Sequence, residues 1–289
     1  MPNQSHLLNY LVNNIAPKMS HHVLLLGGHG KVAQLLTPLL LKRAWTVTSV
    51  IRSQEQVPTI KKLAAGESKG KLNVLVRSLE EVKSEADAKR VIEEAGKEGG
   101  GEGKEVDYVV WSAGAGGKGG PERTYAIDRD ACIHFIRASE SIPSITKFLL
   151  VSYLGSRKVK PSWWSDEEWK AAQHVNNEVL PTYYKAKVAA DEELYRVSKK
   201  SGRLVGICLR PGTLTLEPAG KVELGRTKGS QGEVGRETVA VVADQLLAKD
   251  GVKNCWVDLL DGGEGVEEAV ERVVREGVDC AEGEEVYNE

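Results

Sequence analysis

The sequence predicts an α/β fold built on a doubly wound parallel sheet. Short apolar runs rich in β-branched residues alternate with helical patterns along the chain, as in successive βαβ units. The first of these runs ends in a glycine-rich turn that passes directly into a helical pattern. With 289 residues, the chain is long enough to bury one large core of this kind. We therefore expect one domain with right-handed crossovers.

The predicted strands and helices follow one another in regular order. Six apolar runs predict strands at residues 23–26, 46–51, 72–76, 106–111, 147–152 and 203–209, and a later run at 255–260 adds a seventh. Helical patterns occupy residues 31–42, 79–95, 128–140, 178–200, 236–249 and 266–276. Asp128 stands at the start of one of them, where we interpret it as a helix cap.

The turn after the first strand is typical of dinucleotide binding. Gly27 allows a sharp turn, Gly30 lets the backbone approach a pyrophosphate, and Ala33 keeps the helix close to the strand. Glycine turns also end strands for structural reasons alone, so it is the position of this turn in the first βα unit that favours binding. The candidate cofactor residues of the turn and of the helix start are Gly27, Gly28, His29, Gly30, Lys31 and Val32.

Residues just beyond the other strands are further candidates, because ligands of such sheets lie at the carboxyl ends of the strands. Arg52 follows the second strand, and no Asp or Glu occurs at that strand end to hold a ribose 2′-hydroxyl. A guanidinium there matches a 2′-phosphate, which predicts NADP(H) in preference to NAD(H); a solvated loop charge is the alternative. Candidates at the next strand ends are Ser78 and Leu79 beside the adenine, and the small residues Ala113, Gly114 and Ala115.

A tyrosine and a lysine early in a long helical pattern are the candidates for chemistry. Tyr183 and Lys187 are four residues apart, so they share one helix face. An ammonium stabilises a nearby phenolate, so Lys187 is expected to lower the pKa of Tyr183 and to hold the nicotinamide ribose. Tyr183 would then act as a general acid toward a carbonyl oxygen, with Ser152 as a second hydrogen-bond donor. Tyr184 is a rival, but its partner four residues on is Val188.

Taken together, these residues resemble the short-chain dehydrogenase/reductase superfamily, in particular its atypical, NmrA-like NAD(P)H-binding branch. The resemblance rests on the glycine turn, Arg52, Ser152, the Tyr183 and Lys187 pair, and the run Arg210-Pro-Gly-Thr-Leu214. It implies a Rossmann-type domain with a small C-terminal region that covers the substrate. It also implies that Pro211 lies beside the nicotinamide. Ala33 departs from the family pattern, where a third glycine often stands.

Charge and cysteine content exclude several classes of function. Lysine and arginine total 39 against 41 aspartate and glutamate residues, a net charge of −2 that favours neither nucleic acid nor an anionic membrane surface. The four cysteines are widely spaced, which predicts reduced thiols and no metal site. No apolar run reaches the roughly 20 residues of a membrane span. We expect a cytoplasmic monomer or homodimer that binds a small molecule.

Several segments lie outside the regular pattern. Residues 1–18 precede a single domain at residues 19–289. They are interpreted as an N-terminal arm, with disorder as one interpretation, or as an upstream extension, because Met19 directly precedes the fold. Residues 99–103 are a glycine-rich insertion without an assigned function. Residues 158–181 carry three tryptophans, which form either a lid over an apolar substrate or a cap on the core edge. The acidic segment from Asp261 is interpreted as a solvated helix face and a frayed tail.

The function predicted from these features is an NADPH-dependent oxidoreductase that reduces a small apolar carbonyl or quinone-like compound. One alternative is a redox sensor that binds NADP(H) without turnover, as the NmrA-like resemblance implies. Another is a sugar-nucleotide epimerase, which would use the same tyrosine and lysine with tightly held NAD. Arg52 and the small C-terminal region argue against the epimerase.

Overall fold

The computed structural model describes residues 21–66, 69–98, 105–116 and 119–289. An eight-stranded sheet lies at the centre, in the order β3-β2-β1-β4-β5-β6-β10-β8, and β7 pairs with β9 beside it. The strands are β1 (His22–Leu26), β2 (Thr46–Ile51), β3 (Lys71–Val76), β4 (Tyr108–Trp111), β5 (Lys147–Val151), β6 (Val205–Pro211), β7 (Thr213–Thr215), β8 (Val222–Gly225), β9 (Glu233–Gly235) and β10 (Cys255–Asp261). The predicted N-terminal arm and the glycine-rich insertion lie outside the described residues.

The sheet confirms the predicted doubly wound fold. Its strands run parallel, except that β8 pairs antiparallel with β10. β1 lies between β2 and β4, so successive crossovers leave it in opposite directions and open a crevice beyond its carboxyl end. The carboxyl ends of all parallel strands meet at this edge, and the residues that follow them are therefore neighbours.

Helices cover both faces of the sheet. The principal ones are Lys31–Lys42, Glu85–Glu98, Cys132–Ser141, Asp166–His174, Pro181–Ser201, Arg236–Ala248 and Val266–Glu276, with shorter ones at Val57–Lys61, Gly120–Thr124 and Glu285–Asn288. A π-helical stretch, Tyr125–Ala131, joins Gly120–Thr124 to Cys132–Ser141. The interpretation of Asp128 as a helix cap was therefore wrong, because Asp128 lies inside this continuous helical segment.

The small sheet of β7 and β9 was not predicted. Both strands are three residues long and lie in a stretch rich in glycine and polar residues, where no period-2 pattern can develop. Gly212 is needed here for close packing, since a Cβ would lie 2.5 Å from the Gly232 carbonyl oxygen. The small sheet of β7 and β9 thereby packs close to the carboxyl end of β6, and β8, which lies between β7 and β9 in the chain, forms the edge of the main sheet.

A buried ion cluster connects three parts of the second half of the chain: the segment after β5, β6 and β10. Arg157, Arg210 and Asp258 are each no more than 1% exposed. The Arg157 guanidinium donates to the Asp258 carboxylate, and Arg210 Nε lies 3.5 Å from the other carboxylate oxygen. Arg210 also donates to the carbonyl oxygens of Leu154 and Ser156, at 3.0 and 2.7 Å. The cluster thus fixes the segment that follows β5 against β6 and β10.

The three tryptophans pack around this cluster. The Arg157 guanidinium lies over the rings of Trp163 and Trp164, 5.3 and 4.9 Å from their centroids. Trp164 is buried and donates to the Thr227 carbonyl oxygen, and Trp169 packs with it. Of the two interpretations of this segment, the cap on the core edge describes the packing of these rings.

The C-terminal segment is docked on the domain. Glu284 is buried and accepts the backbone N–H groups of Lys158 and Val159, both at 3.2 Å. Tyr195 donates to the Asp279 carboxylate at 2.7 Å. The interpretation of the acidic C-terminus as a frayed tail was therefore wrong, because its buried carboxylates have specific partners that sequence composition does not reveal.

Replacing Asp258 by asparagine should destabilise the fold strongly, because it removes the carboxylate that lies against both buried guanidinium groups. We expect a loss of about 3 to 5 kcal/mol in the free energy of unfolding, measured by urea denaturation. Glu282→Gln is the matched control: it removes the exposed pair with Arg226 and should cost less than about 1 kcal/mol. Equal effects of the two variants would contradict the role of Asp258 as the buried counter-charge.

Candidate functional site

Two positions in the turn after β1 have room for glycine only. Gly27 has a φ of +81°, and a Cβ there would lie 2.6 Å from the Ala113 Cα atom. A Cβ on Gly28 would lie 1.8 Å from the Ser49 hydroxyl oxygen. Gly30 begins the helix Lys31–Lys42 without a side-chain cap, so no capping side chain occupies the helix N-terminus. The turn therefore has the form that admits an anionic group to backbone N–H donors.

A first cleft of about 240 Å³ opens beside this turn, at the carboxyl ends of β1 to β4. Predicted cofactor residues that line it are Gly27, His29, Gly30, Arg52, Ser78, Leu79, Ala113 and Gly114. Others have different positions: Gly28, Val32 and Ala115 are buried, and Lys31 lines a separate groove with Gln34 and Arg236. The cleft gathers residues from four strand ends, as expected for a dinucleotide site.

Three arginines line the first cleft, and their partners differ. Arg77 pairs with Glu94 at 2.9 Å, and Arg123 pairs with Glu80 at 2.9 Å. The exposed Arg52 guanidinium forms no ion pair with any residue that the structure describes, and only its backbone N–H is bonded, to the Gln56 side chain. Arg52 is therefore the arginine of this cleft whose charge is available to a ligand.

The loop after β4 is held from both sides. The buried Asp128 carboxylate accepts the Ala115 N–H at 2.9 Å, and Arg123 donates to the Ala115 carbonyl oxygen at 2.8 Å. Gly114 lies against the same carboxylate, since a Cβ there would be 2.9 Å from Asp128 Oδ1. Asp128 thus positions the small residues that face the cleft, from a π-helical stretch of the kind that often occurs at functional sites.

A second cleft of about 530 Å³ lies at the carboxyl ends of β5 and β6. Tyrosines and aliphatic side chains form part of its lining: Tyr153, Leu154, Ala172, Val175, Leu180 and Tyr183. The lining also includes Pro211 and the polar residues Thr213, Ser230, Gln231 and Glu233. The residues described as lining it include no lysine, arginine or tryptophan. The cleft is therefore mainly apolar, with one carboxylate.

The three tyrosines near this cleft differ in what their hydroxyl groups bind. Tyr153 donates to Asn176 Oδ1 at 2.7 Å, and Tyr184 donates to the Arg157 carbonyl oxygen at 3.0 Å. The Tyr183 hydroxyl has no hydrogen-bond partner among the described residues, and its ring lies 5.1 Å from that of Tyr153. Tyr183 is thus the tyrosine of this group whose hydroxyl is available to a ligand.

Lys187 lies behind Tyr183 in a buried polar cluster. Its Nζ atom donates to the Val151 carbonyl oxygen at 2.9 Å, and the residue is 1% exposed. Ser152 is also buried, and its hydroxyl donates to the carboxylate of Asp191 at 2.7 Å. Ser152 and Lys187 therefore belong to the wall behind the cleft rather than to its lining.

Charges in this cluster set the protonation states of Tyr183 and Lys187. Burial raises the pKa of Tyr183; the Lys187 ammonium opposes this rise, and the carboxylates Asp128 and Asp191 add to it. Burial alone would lower the pKa of Lys187, but its charge interactions with Tyr183 and with the carboxylates Asp128 and Asp191 raise it above its usual value. The expected lowering of the Tyr183 pKa is therefore outweighed, and the site holds a neutral phenol next to an ammonium.

The described residues contain neither a metal site nor a membrane-spanning helix. No group of histidine, cysteine, aspartate and glutamate side chains there could hold a metal ion. No described helix has the length and apolarity to cross a membrane. The cysteines Cys132, Cys208, Cys255 and Cys280 are buried and unbridged. Burial raises the pKa of each of these thiols, which disfavours the reactive thiolate.

Comparison with known proteins agrees with this geometry. A family described as NAD(P)H-binding matches residues 27–250, from the glycine turn to just past the helix Arg236–Ala248. The chain belongs to this NAD(P)H-binding family. The atypical short-chain dehydrogenase/reductase class is thereby confirmed for this member, whereas the finer NmrA-like assignment stays a prediction.

The similarity to two relatives extends over nearly the whole length of those proteins. A UPF0659 protein of Schizosaccharomyces pombe is 30% identical over 255 residues, which cover 87% of this chain and 94% of that protein. The uncharacterized sugar epimerase YhfK of Bacillus subtilis is 27% identical over 252 residues, covering 87% and 99%. Among solved structures, a Bacillus halodurans protein named as a candidate NAD-dependent epimerase/dehydratase matches with a TM-score of 0.67 and 25% identity, covering 88% of this chain and all 100% of that one.

The residues of the two clefts fit a nicotinamide dinucleotide. The glycine turn and the uncapped helix start suit the pyrophosphate, and the first cleft lies where the adenosine half would be held. Sequence reasoning had missed Asp128 as a loop anchor, and Arg77, Arg123, Tyr153 and Asp191 altogether. Arg77 directly follows β3, so the rule that identified Arg52 could have found it. Burial of Asp191 has no counterpart in the sequence pattern.

Arg52→Ala should weaken NADPH binding much more than NADH binding, because only NADPH has a 2′-phosphate to pair with the free guanidinium. We expect a loss of about 10-fold to 100-fold in NADPH affinity and a small change for NADH, by titration calorimetry. Arg90→Ala is the control, since Arg90 is an exposed arginine paired with Asp87 outside the cleft. Equal losses for the two cofactors would remove the 2′-phosphate assignment.

Proposed function

We propose that the chain is an NADPH-dependent reductase of small, apolar carbonyl or quinone-like compounds. Bound NADPH would supply the hydride, held at the glycine turn, Arg52 and the first cleft. The second cleft would hold the substrate, and Tyr183 would donate the proton to the substrate oxygen. Lys187 would fix the charge next to the phenol from the wall behind the cleft, where its burial and its bond to the Val151 carbonyl oxygen argue against the expected contact with the nicotinamide ribose.

One observation carries this proposal: Tyr183 is the unbonded phenol in the second cleft. The hydroxyl groups of Tyr153 and Tyr184 are bonded to protein acceptors, so neither proton is free for a ligand without breaking a bond. A partly buried phenol without a partner is costly, since a polar group loses its water on burial. A substrate oxygen in the cleft would satisfy it. A protein that only senses NADP(H) has no need of such a donor, and this supports turnover over sensing.

The names of relatives raise sugar epimerisation as a second candidate. A nucleotide sugar carries a diphosphate, which proteins usually hold with arginine or lysine side chains. The residues described in the second cleft include neither, and Glu233 would repel the diphosphate. The same residues suit an uncharged, planar compound that stacks near Tyr153 and Tyr183. The charge of the cleft therefore supports the reductase.

Tyr183→Phe should abolish turnover while leaving NADPH affinity nearly unchanged. Loss of a general acid lowers rates by about 100-fold to 10,000-fold. The assay is NADPH consumption with a panel of quinones, aldehydes and aromatic ketones. Tyr184→Phe is the matched control, because it removes a neighbouring hydroxyl that is bonded to the Arg157 carbonyl oxygen.

Full activity in Tyr183→Phe would remove Tyr183 from the reaction. A wild-type protein that binds NADPH and turns over none of these compounds would favour the sensor. Turnover of a UDP-sugar with NAD would instead favour the epimerase.

Reduction should keep its rate far into alkaline pH. Burial raises the pKa of Tyr183 above its usual value of about 10, so the phenol stays protonated below that pH. The rate should fall only as the pH rises through the raised pKa, whereas oxidation of an alcohol, which needs the phenolate, should increase over the same interval. A pH profile of kcat, with circular dichroism to verify folding, tests this. A basic limb below about pH 8 would contradict it.

A further inference from the structure

We infer that Asp191 is a positioning residue of this reaction, which orders Ser152 and the charge of Lys187 behind Tyr183. The inference rests on the proposed function and adds a residue to it. Tyr183, Lys187 and Asp191 are spaced four residues apart in the helix Pro181–Ser201. Residues at this spacing lie on one face of a helix, one above the other. The phenol is at the cleft, the ammonium behind it and the carboxylate deepest.

Asp191 is fully buried, and its bonds are few. One carboxylate oxygen, Oδ2, accepts the Ser152 hydroxyl at 2.7 Å. The other, Oδ1, is buried and accepts no hydrogen bond from a described nitrogen or oxygen donor. A buried carboxylate with one such bond is strongly destabilising unless a cation lies nearby. The Lys187 ammonium is the cation on the same face, so the two residues stabilise each other's charge.

In this structure Ser152 bonds Asp191, whereas the sequence predicts that it donates a hydrogen bond to the substrate carbonyl. Its hydroxyl proton is given to Asp191 and is not available to a substrate carbonyl in this arrangement. Ser152 follows β5 directly, and Lys187 donates to the carbonyl oxygen of the residue before it. Asp191 and Lys187 thus hold two consecutive residues at the end of β5. The carboxyl end of this strand is tied to the helix that carries Tyr183.

Several other groups face this cluster, and none takes over the role of Asp191. Asp128 and Cys132 come from the helical segment 120–141, Cys208 and Arg210 from β6, and Tyr153 from the end of β5. Asp128 is bonded to the loop at Ala115, on the cofactor side. Asp191 is the described carboxylate that bonds Ser152, so its removal acts on Ser152 and on the charge of Lys187 while it leaves the bond between Asp128 and the loop at Ala115 in place.

Asp191→Asn tests the inference, because it removes the charge while keeping the shape. We expect kcat to fall by about 10-fold to 100-fold with an unchanged KM for NADPH, the range expected for a lost hydrogen bond to a charged group. The basic limb of the pH profile should move to lower pH, because an anion that opposes the phenolate is gone. Glu193→Gln is the control on the same helix, where the carboxylate pairs with Arg137 at 2.7 Å, and it should leave both measurements unchanged.

Ser152→Ala keeps the carboxylate and provides a second route if Asp191→Asn folds poorly. Ser152→Ala should also lower kcat. The double variant should be no slower than Asp191→Asn alone, since the two residues act as a unit. Additive losses, or an unchanged kcat and pH profile in Asp191→Asn, would overturn the inference.

A readout without substrate separates this inference from the proposed function. The titration of Tyr183 can be followed by NMR of Cζ-labelled tyrosine, with the signal assigned through Tyr183→Phe. Asp191→Asn should lower the pH at which Tyr183 titrates, and this result would support the cluster even in a protein without turnover. The same titration behaviour in both proteins would overturn the role of Asp191, whatever the activity of the wild type.

Discussion

The close approach of three strands at the turn after β1 determines the rest of this structure. Gly28 donates its N–H to the Val50 carbonyl oxygen at the end of β2, and Gly27 lies against Ala113 beyond β4. Side chains at either glycine would separate the strands on which the cleft depends. Because β1 is the strand where the winding of the sheet reverses, this contact also places the crevice. The backbone contacts of these two glycines therefore determine the position of the crevice that the functional side chains line.

Buried charge is the second organising feature, and it occurs in two places. In the ion cluster near Trp164, two guanidinium groups share the carboxylate of Asp258, and the pairing holds the segment after β5. In the cluster behind Tyr183, one ammonium lies among carboxylates from two helical segments. Such arrangements cost more solvation than their attraction returns, so they are weak contributors to stability. What they do provide is a single arrangement of the backbone around the second cleft.

Much of the fold could be predicted from periodicity, because local patterns dominate its regular elements. The helices Lys31–Lys42 and Val266–Glu276 and the strand β2 have the predicted bounds. The strands β7 and β9 were missed, since a three-residue strand depends on its distant partner and has no pattern of its own. The N-terminal extension of the helical segment 120–141 was missed because glycine and proline at its start resemble a turn.

Prediction of the candidate site residues relied on rules that relate sequence position to chemistry, as for Arg52 at a strand end and Tyr183 at a helical spacing. It failed for Asp191, which in the sequence stands beside Glu192 and Glu193 and looks like one of three similar acids on a solvated face. The fold buries Asp191 completely and leaves Glu193 partly exposed, so only tertiary packing distinguishes the carboxylate that bonds Ser152.

The two clefts differ in the charge of the residues that line them. The first cleft has three arginines, of which Arg52 has no ion-pair partner among the described residues, so its charge suits a phosphorylated ligand. The second cleft has no described cation and one carboxylate, Glu233, so a phosphorylated ligand gains nothing there. The proposed ligands, one dinucleotide and one uncharged substrate, would match the charges of both clefts at once. Because both open at the same edge of the sheet, the reactive end of the dinucleotide and the free phenol of Tyr183 would approach the substrate from neighbouring strand ends.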